Sequence, residues 1–147
     1  MGVHPIPDGY HSVTPYLTVG NARRLLEFVQ SAFGAEKIHC TTRPDGGIAH
    51  AAVKIGTSMV ELADAHGPWQ PMPSAIHLYV ADADASYARA LDAGATSLHA
   101  PMDTFYGERC GGVVDPSGNH WYIATHVEDV APAELERRAA AFMAKPR

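Results

Sequence analysis

Near the end of the chain the stretch DPSGNHWYIATH, residues 115 to 126, sets His120 and Tyr122 two positions apart, with His126 further along the same alternation. Imidazole and phenol groups at that spacing can ligate a metal, hydrogen-bond an organic guest or pass a proton. Earlier segments carry residues of the same kind: Tyr16, His50, Met59, Glu61, His77 and Tyr79. Glu61 is the one carboxylate among them. It is therefore the candidate general base if the chain is an enzyme.

What these residues can do depends on the strands that aim them. Successive side chains on a strand point to opposite faces. In IAHAAVKIG, Ala51, Val53 and Ile55 alternate with His50, Ala52 and Lys54. In SMVELAD, Val60 and Leu62 oppose Met59 and Glu61, and in IHLYV, Ile76, Leu78 and Val80 oppose His77 and Tyr79. In NHWYIATH, Trp121 and Ile123 oppose His120 and Tyr122. A plain solvent face would carry Lys, Thr, Glu and Arg. Aromatics and histidines on several strands point instead to a concave, partly dry cavity.

The chain also repeats itself. PYLTVGNARRLLEFVQSAFGAEKIH (15 to 39) matches IHLYVADADASYARALDAGATSLH (76 to 99), each a short strand, a capping Asn21 or Asp82, an amphipathic helix and a closing Gly34 or Gly94. Three strand candidates follow each helix: AEKIHCTTR, IAHAAVKIG and SMVELAD, then TSLHAPM, GGVVDP and NHWYIATH. The glycine pairs at 46–47 and 111–112 read as turns. The expected organisation is one α+β domain of two βαβββ modules, 10–65 and 75–126, joined by the Pro-rich linker 66–74 and closed by a helical tail, 127–147. In that tail Leu135, Ala139 and Phe142 form an apolar stripe.

Composition narrows the possible partners. A net charge of -5 over 147 residues, with no basic cluster, argues against nucleic acid. No apolar run is long enough for a membrane span, and the opening MGVHPIPDGY lacks the basic start and apolar core of a signal peptide. The expected compartment is the cytoplasm, where Cys40 and Cys110 are expected as free thiols.

The paired βαβββ halves, the opening HSVTPYLTV, the segment SAFGAEKI, the PDGGIAHAAVKIG hairpin and the close FYGERCGGVVDPSGNHWYIATHVEDV resemble the vicinal oxygen chelate superfamily, the glyoxalase/bleomycin-resistance/dioxygenase group. Within it they look most like the PhnB-like branch. The resemblance covers roughly residues 10 to 130 and implies a curved, eight-stranded open sheet around a cleft, within a homodimer. The superfamily's metal-ligand positions fall on Thr14, Glu61, Ala75 and Tyr122, of which only Glu61 is a competent ligand. The usual metal site is therefore expected to be absent.

Two functions follow as expectations. The first is a metal-independent binding protein, serving sequestration or resistance, for an aromatic or amphipathic small molecule. Trp69, Tyr79, Tyr106 and Tyr122 would stack on the guest, and His50, His77, His120 and Glu61 would orient it, beside Tyr16 and Met59. Trp69 could cover the cleft mouth or pack against a partner subunit. The alternative is a lyase, isomerase or dioxygenase with a shifted zinc, nickel, manganese or iron site on Glu61, His77 and His120, or with metal-free acid/base chemistry at Glu61. Glu61 could equally be a structural carboxylate paired with Lys54 or Arg109.

Overall fold

The computed structural model describes residues 2–146. Its elements run β1 (Tyr16–Val19), α1 (Ala22–Phe33), β2 (Glu36–Thr42), β3 (Ile48–Ile55), β4 (Ser58–Asp64), β5 (Ala75–Tyr79), α2 (Ala83–Asp92), β6 (Thr96–Asp103), β7 (Glu108–Val114), β8 (His120–His126) and α3 (Pro132–Met143). This is the expected pair of βαβββ modules followed by a helix. The helix starts form as anticipated: Asn21 accepts a hydrogen bond from Arg24 N and Asp82 one from Ala85 N, both at 3.1 Å. Gly34 ends α1 with φ of 65°, the left-handed position that favours glycine.

The eight strands form two sheets of four, in the orders β1-β4-β3-β2 and β5-β8-β7-β6. The ladders repeat as the sequence does. Tyr16 lies opposite Glu61 in the parallel β1–β4 pair, and His77 lies opposite Tyr122 in the parallel β5–β8 pair. Both pairs are offset by 61 residues (77 − 16 and 122 − 61).

The aliphatic faces meet the helices as the alternation requires. Leu25, Leu26, Phe28, Val29 and Ala32 of α1 bury against Leu17, Val53 and Leu62. Burying each such side chain stabilises by roughly 1.5–3 kcal/mol. Trp121 is 0% exposed. Its ring stacks on Phe33 at 4.9 Å, joining the modules, and its Nε1 donates to Asp115 Oδ2 at 2.8 Å. Asp115 also accepts from Ser117 N and Asn119 N, so the DPSG turn is tied to the strand it launches. This network fixes the register of β8, on which His120 and Tyr122 alternate with Trp121.

One sequence expectation needs correction. Gly111 and Gly112 are not a turn; they lie in the middle of β7. A Cβ on Gly111 would stand 2.9 Å from the Tyr87 ring, and one on Gly112 would stand 2.9 Å from His99 Nε2. The glycines let α2 and β6 close on β7. The strand thus begins at Glu108, three residues earlier than the glycines suggest. The apolar stripe of α3 lies on the surface, since no residue of that helix is buried. Phe142 instead stacks on Phe105 at 5.0 Å, while Arg138 bonds Glu128 at 2.7 and 2.9 Å and the Phe105 carbonyl at 3.3 Å.

Candidate functional site

Each module presents its polar face as a separate cup. In the first, His50 Nε2 donates to Glu61 Oε1 at 2.5 Å, and His50 Nδ1 lies 2.8 Å from His39 Nε2. A carboxylate can only accept, so His50 carries its proton on Nε2. His50 Nδ1 and His39 Nε2 share the second hydrogen bond, so the three side chains form one chain. Tyr16 tilts against His50 at 5.9 Å. Nearby lies a 430 Å³ cavity lined by Tyr16, Thr18, Arg43, Ala49, Ala63, Asp64, His66 and Trp69. Asp64 is structural there, its carboxylate accepting from Ala22 N at 2.8 Å and Ile48 N at 2.6 Å.

The second cup is larger, about 640 Å³. Its wall is His77 from β5, Tyr122 from β8, Cys110 from β7, His99, Met102 and Asp103 from β6, the loop residues Thr104, Phe105 and Tyr106, and Phe142 and Lys145 from the C-terminal segment. Behind the wall Glu108 is 6% exposed. The Tyr79 hydroxyl donates to Glu108 Oε2, reaching across β8 where Ala124 leaves room. His77 Nε2 stands 3.3 Å from Oε1 but is misaligned, so that buried oxygen has no hydrogen bond.

This carboxylate colours its surroundings. Donation to Glu108 holds the Tyr79 hydroxyl above its ordinary pKa, with desolvation adding to the effect. Burial first, then electrostatic coupling to Cys110 and Glu108, raises Tyr106. Burial first and Glu108 second push the Cys110 thiol up. Cys110 is thereby held as a thiol and is a poor nucleophile at neutral pH.

The residues expected from sequence are therefore divided. Tyr16, His50, Glu61 and Trp69 belong to the first cup or its edge, with Trp69 67% exposed on the linker. His77, Tyr79, Tyr106 and Tyr122 belong to the second. Met59 is buried, 6% exposed, and lines a small cavity between the modules with Ile76, Leu78 and Trp121. His120 packs edge-on to Tyr122, with 6.4 Å between ring centroids, but is not in the cup wall. Glu61 bonds His50, not Lys54 or Arg109, and Arg109 instead clamps Asp84 and Asp103. His126 pairs with Asp129 at the strand's end.

The shifted metal set of Glu61, His77 and His120 is not assembled in this chain. Glu61 sits in the first sheet on His50, while His77 sits in the second beside Glu108. Among the described residues no three His, Cys, Asp or Glu side chains gather as a metal would require. The superfamily's own positions fit a metal no better. Thr14 and Ala75 offer no strong donor, which leaves Glu61 and Tyr122 of the four. Sequence reasoning missed Glu108, His39 and the aromatic pair Phe105 and Phe142. Glu108 lies ahead of the glycines that seemed to open its strand, and His39 lies beside a bulge that breaks the alternation of β2.

Comparison with known proteins agrees with this architecture of paired modules. The chain belongs to the Glyoxalase/Bleomycin resistance protein/Dioxygenase superfamily, whose profile matches residues 9–123. Uncharacterised proteins of Mycobacterium bovis and Mycobacterium tuberculosis are 35% identical over 136 residues, covering 85% of this chain and 90% and 80% of theirs. Among solved structures, TioX from a Micromonospora species has a TM-score of 0.69 at 21% identity, covering 80% of this chain and 99% of that one. A superfamily member from Nocardioides has a TM-score of 0.60 at 16% identity, covering 88% of this chain and 90% of that one. These likenesses establish the fold. No helix of the described residues is long and apolar enough to cross a membrane.

Proposed function

We propose that the protein binds an aromatic or amphipathic small molecule in the C-terminal cup without using a metal, as a sequestration or resistance protein of the PhnB-like kind. The observation that carries this reading is the cup itself. It offers 640 Å³ walled by Phe105, Tyr106, Tyr122, Phe142, Met102 and His77, with the Tyr79–Glu108 pair beside His77. That size suits a drug-sized guest, and few polar groups in an apolar wall are what such sites use for orientation. Cys110, held as a thiol, and the scattered donor set favour binding over nucleophilic or metal chemistry.

A second reading rests on the chain His39–His50–Glu61. A carboxylate that orients one imidazole against another is suited to proton transfer, so a metal-free acid/base enzyme acting at the first cup is the alternative. In either case we infer a homodimer, supported by the exposed rims of Tyr16, Trp69, Met72 and Tyr79. The two free thiols suit the cytoplasm.

The test is a thermal-shift screen of aromatic natural products against protein freed of metal by chelation, run beside Tyr106→Ala. Stabilising compounds that lose their effect in the variant support the binding reading. Stabilisation that returns only with added metal, or turnover abolished by Glu61→Gln, overturns it.

A further inference from the structure

We propose that the C-terminal cup selects molecules carrying a cationic amine on an aromatic or apolar body, an inference that rests on this cup being the binding site. The first ground is Glu108. Its side chain is more than nine-tenths buried, and only one of its oxygens is satisfied, by the Tyr79 hydroxyl. A buried carboxylate oxygen without a donor is costly and calls for a partner. His77 stands beside it without closing that bond, and its side chain is 40% exposed to the cup. Rotation of this one ring opens Oε1 to an N–H donor arriving from the cavity.

The second ground is the cup wall, to which His77 belongs. Tyr106, Tyr122, Phe105 and Phe142 surround the cavity, and ring faces attract an ammonium group while they bury its apolar body. The carboxylate's charge reaches the wall, since it contributes to the raised pKa of both Tyr106 and Cys110. The opposing charges are weaker in effect. Lys145 is exposed at the mouth, where solvent screens it, and Arg109 behind the rim is already held by Asp84 at 2.8 Å and Asp103 at 3.3 Å. The cup interior is therefore negative and partly dry, and a low-dielectric recess focuses that field on an entering cation.

The experiment uses three probes of one shape: 2-(1-naphthyl)ethylamine, 2-(1-naphthyl)ethanol and 1-naphthylacetate. Each is titrated calorimetrically into the full chain, with backbone amide spectra to locate the site. The amine should bind about tenfold to a hundredfold more tightly than the alcohol, since both can donate to Oε1 but only the ammonium sets a positive charge against the carboxylate. The acetate should bind most weakly. Glu108→Gln should bring the amine's affinity down to within about twofold of the alcohol's in the same variant. Equal binding of amine and alcohol at Tyr106 and Tyr122, or a preference for the acetate, overturns the cation preference while sparing the cup as a site. No shifts at the cup from any probe overturns both. Should Glu108→Gln fail to fold, the order of the three probes on the unmodified protein still decides.

Discussion

Removing one oxygen atom tests the core of the second cup. Tyr79→Phe keeps the ring, which is 61% exposed and contributes little packing, but deletes the hydroxyl that satisfies Glu108 Oε2. Glu108, 6% exposed, is then left with no hydrogen bond at either oxygen. A hydrogen bond to a charged group contributes about 1.5–3 kcal/mol, so the variant should lose about 2 kcal/mol of stability. In a Glu108→Leu background there is no buried carboxylate to satisfy, and the same change should cost less than about 0.5 kcal/mol. The coupling, about 1.5 kcal/mol, is measured by urea unfolding of the four proteins in a double-mutant cycle at pH 7. The sign with pH follows from the same bond. The Tyr79 pKa is raised in the folded state, so its contribution is complete below the ordinary tyrosine value of about 10 and fades as pH climbs through the raised value. Tyr79→Phe should therefore lose less stability than the unmodified protein on going from neutral to strongly alkaline pH. An equal cost of Tyr79→Phe in both backgrounds refutes the reasoning.

Other outcomes follow from the same geometry. The two tryptophans should separate spectrally: Trp69→Phe leaves only the blue-shifted emission of buried Trp121, whereas Trp121→Phe leaves the red-shifted emission of exposed Trp69. Gly107→Ala should lower the melting temperature sharply, because Gly107 has φ of 90° and a Cβ would stand 2.3 Å from the Glu128 carbonyl oxygen. Backbone strain of that kind costs about 1–3 kcal/mol before the clash is counted. Glu61→Gln should alter the imidazole nitrogen shifts of His50 and His39 in NMR spectra while ligand affinity at the C-terminal cup stays within about twofold, since these residues belong to the other sheet.

The alternation of His50 with Val53, of His77 with Leu78 and of Tyr122 with Trp121 was readable because a strand's period is two and one face must meet a helix. The internal repeat was legible too, and the structure reproduces its offset in the paired ladders. What the sequence hid was longer in range. Nothing local reveals that Glu61 and His77 face different cups, since that depends on how two sheets of four divide the strands. Glu108 was concealed by Gly111 and Gly112, which look like a turn but serve close packing of Tyr87 and His99. Phe142 was legible only as part of the apolar stripe of α3. In fact α3 rests on the surface and uses that ring to wall the cup.

The most direct test of the central reading is a fragment screen by backbone amide NMR on metal-free protein, using small aromatic molecules of varied charge. The account predicts hits whose shifts centre on Met102, Tyr106, Tyr122 and Phe142 and persist in the presence of a chelator. Hits that centre on Tyr16 and Trp69, or binding that appears only when a divalent metal is restored, would contradict it.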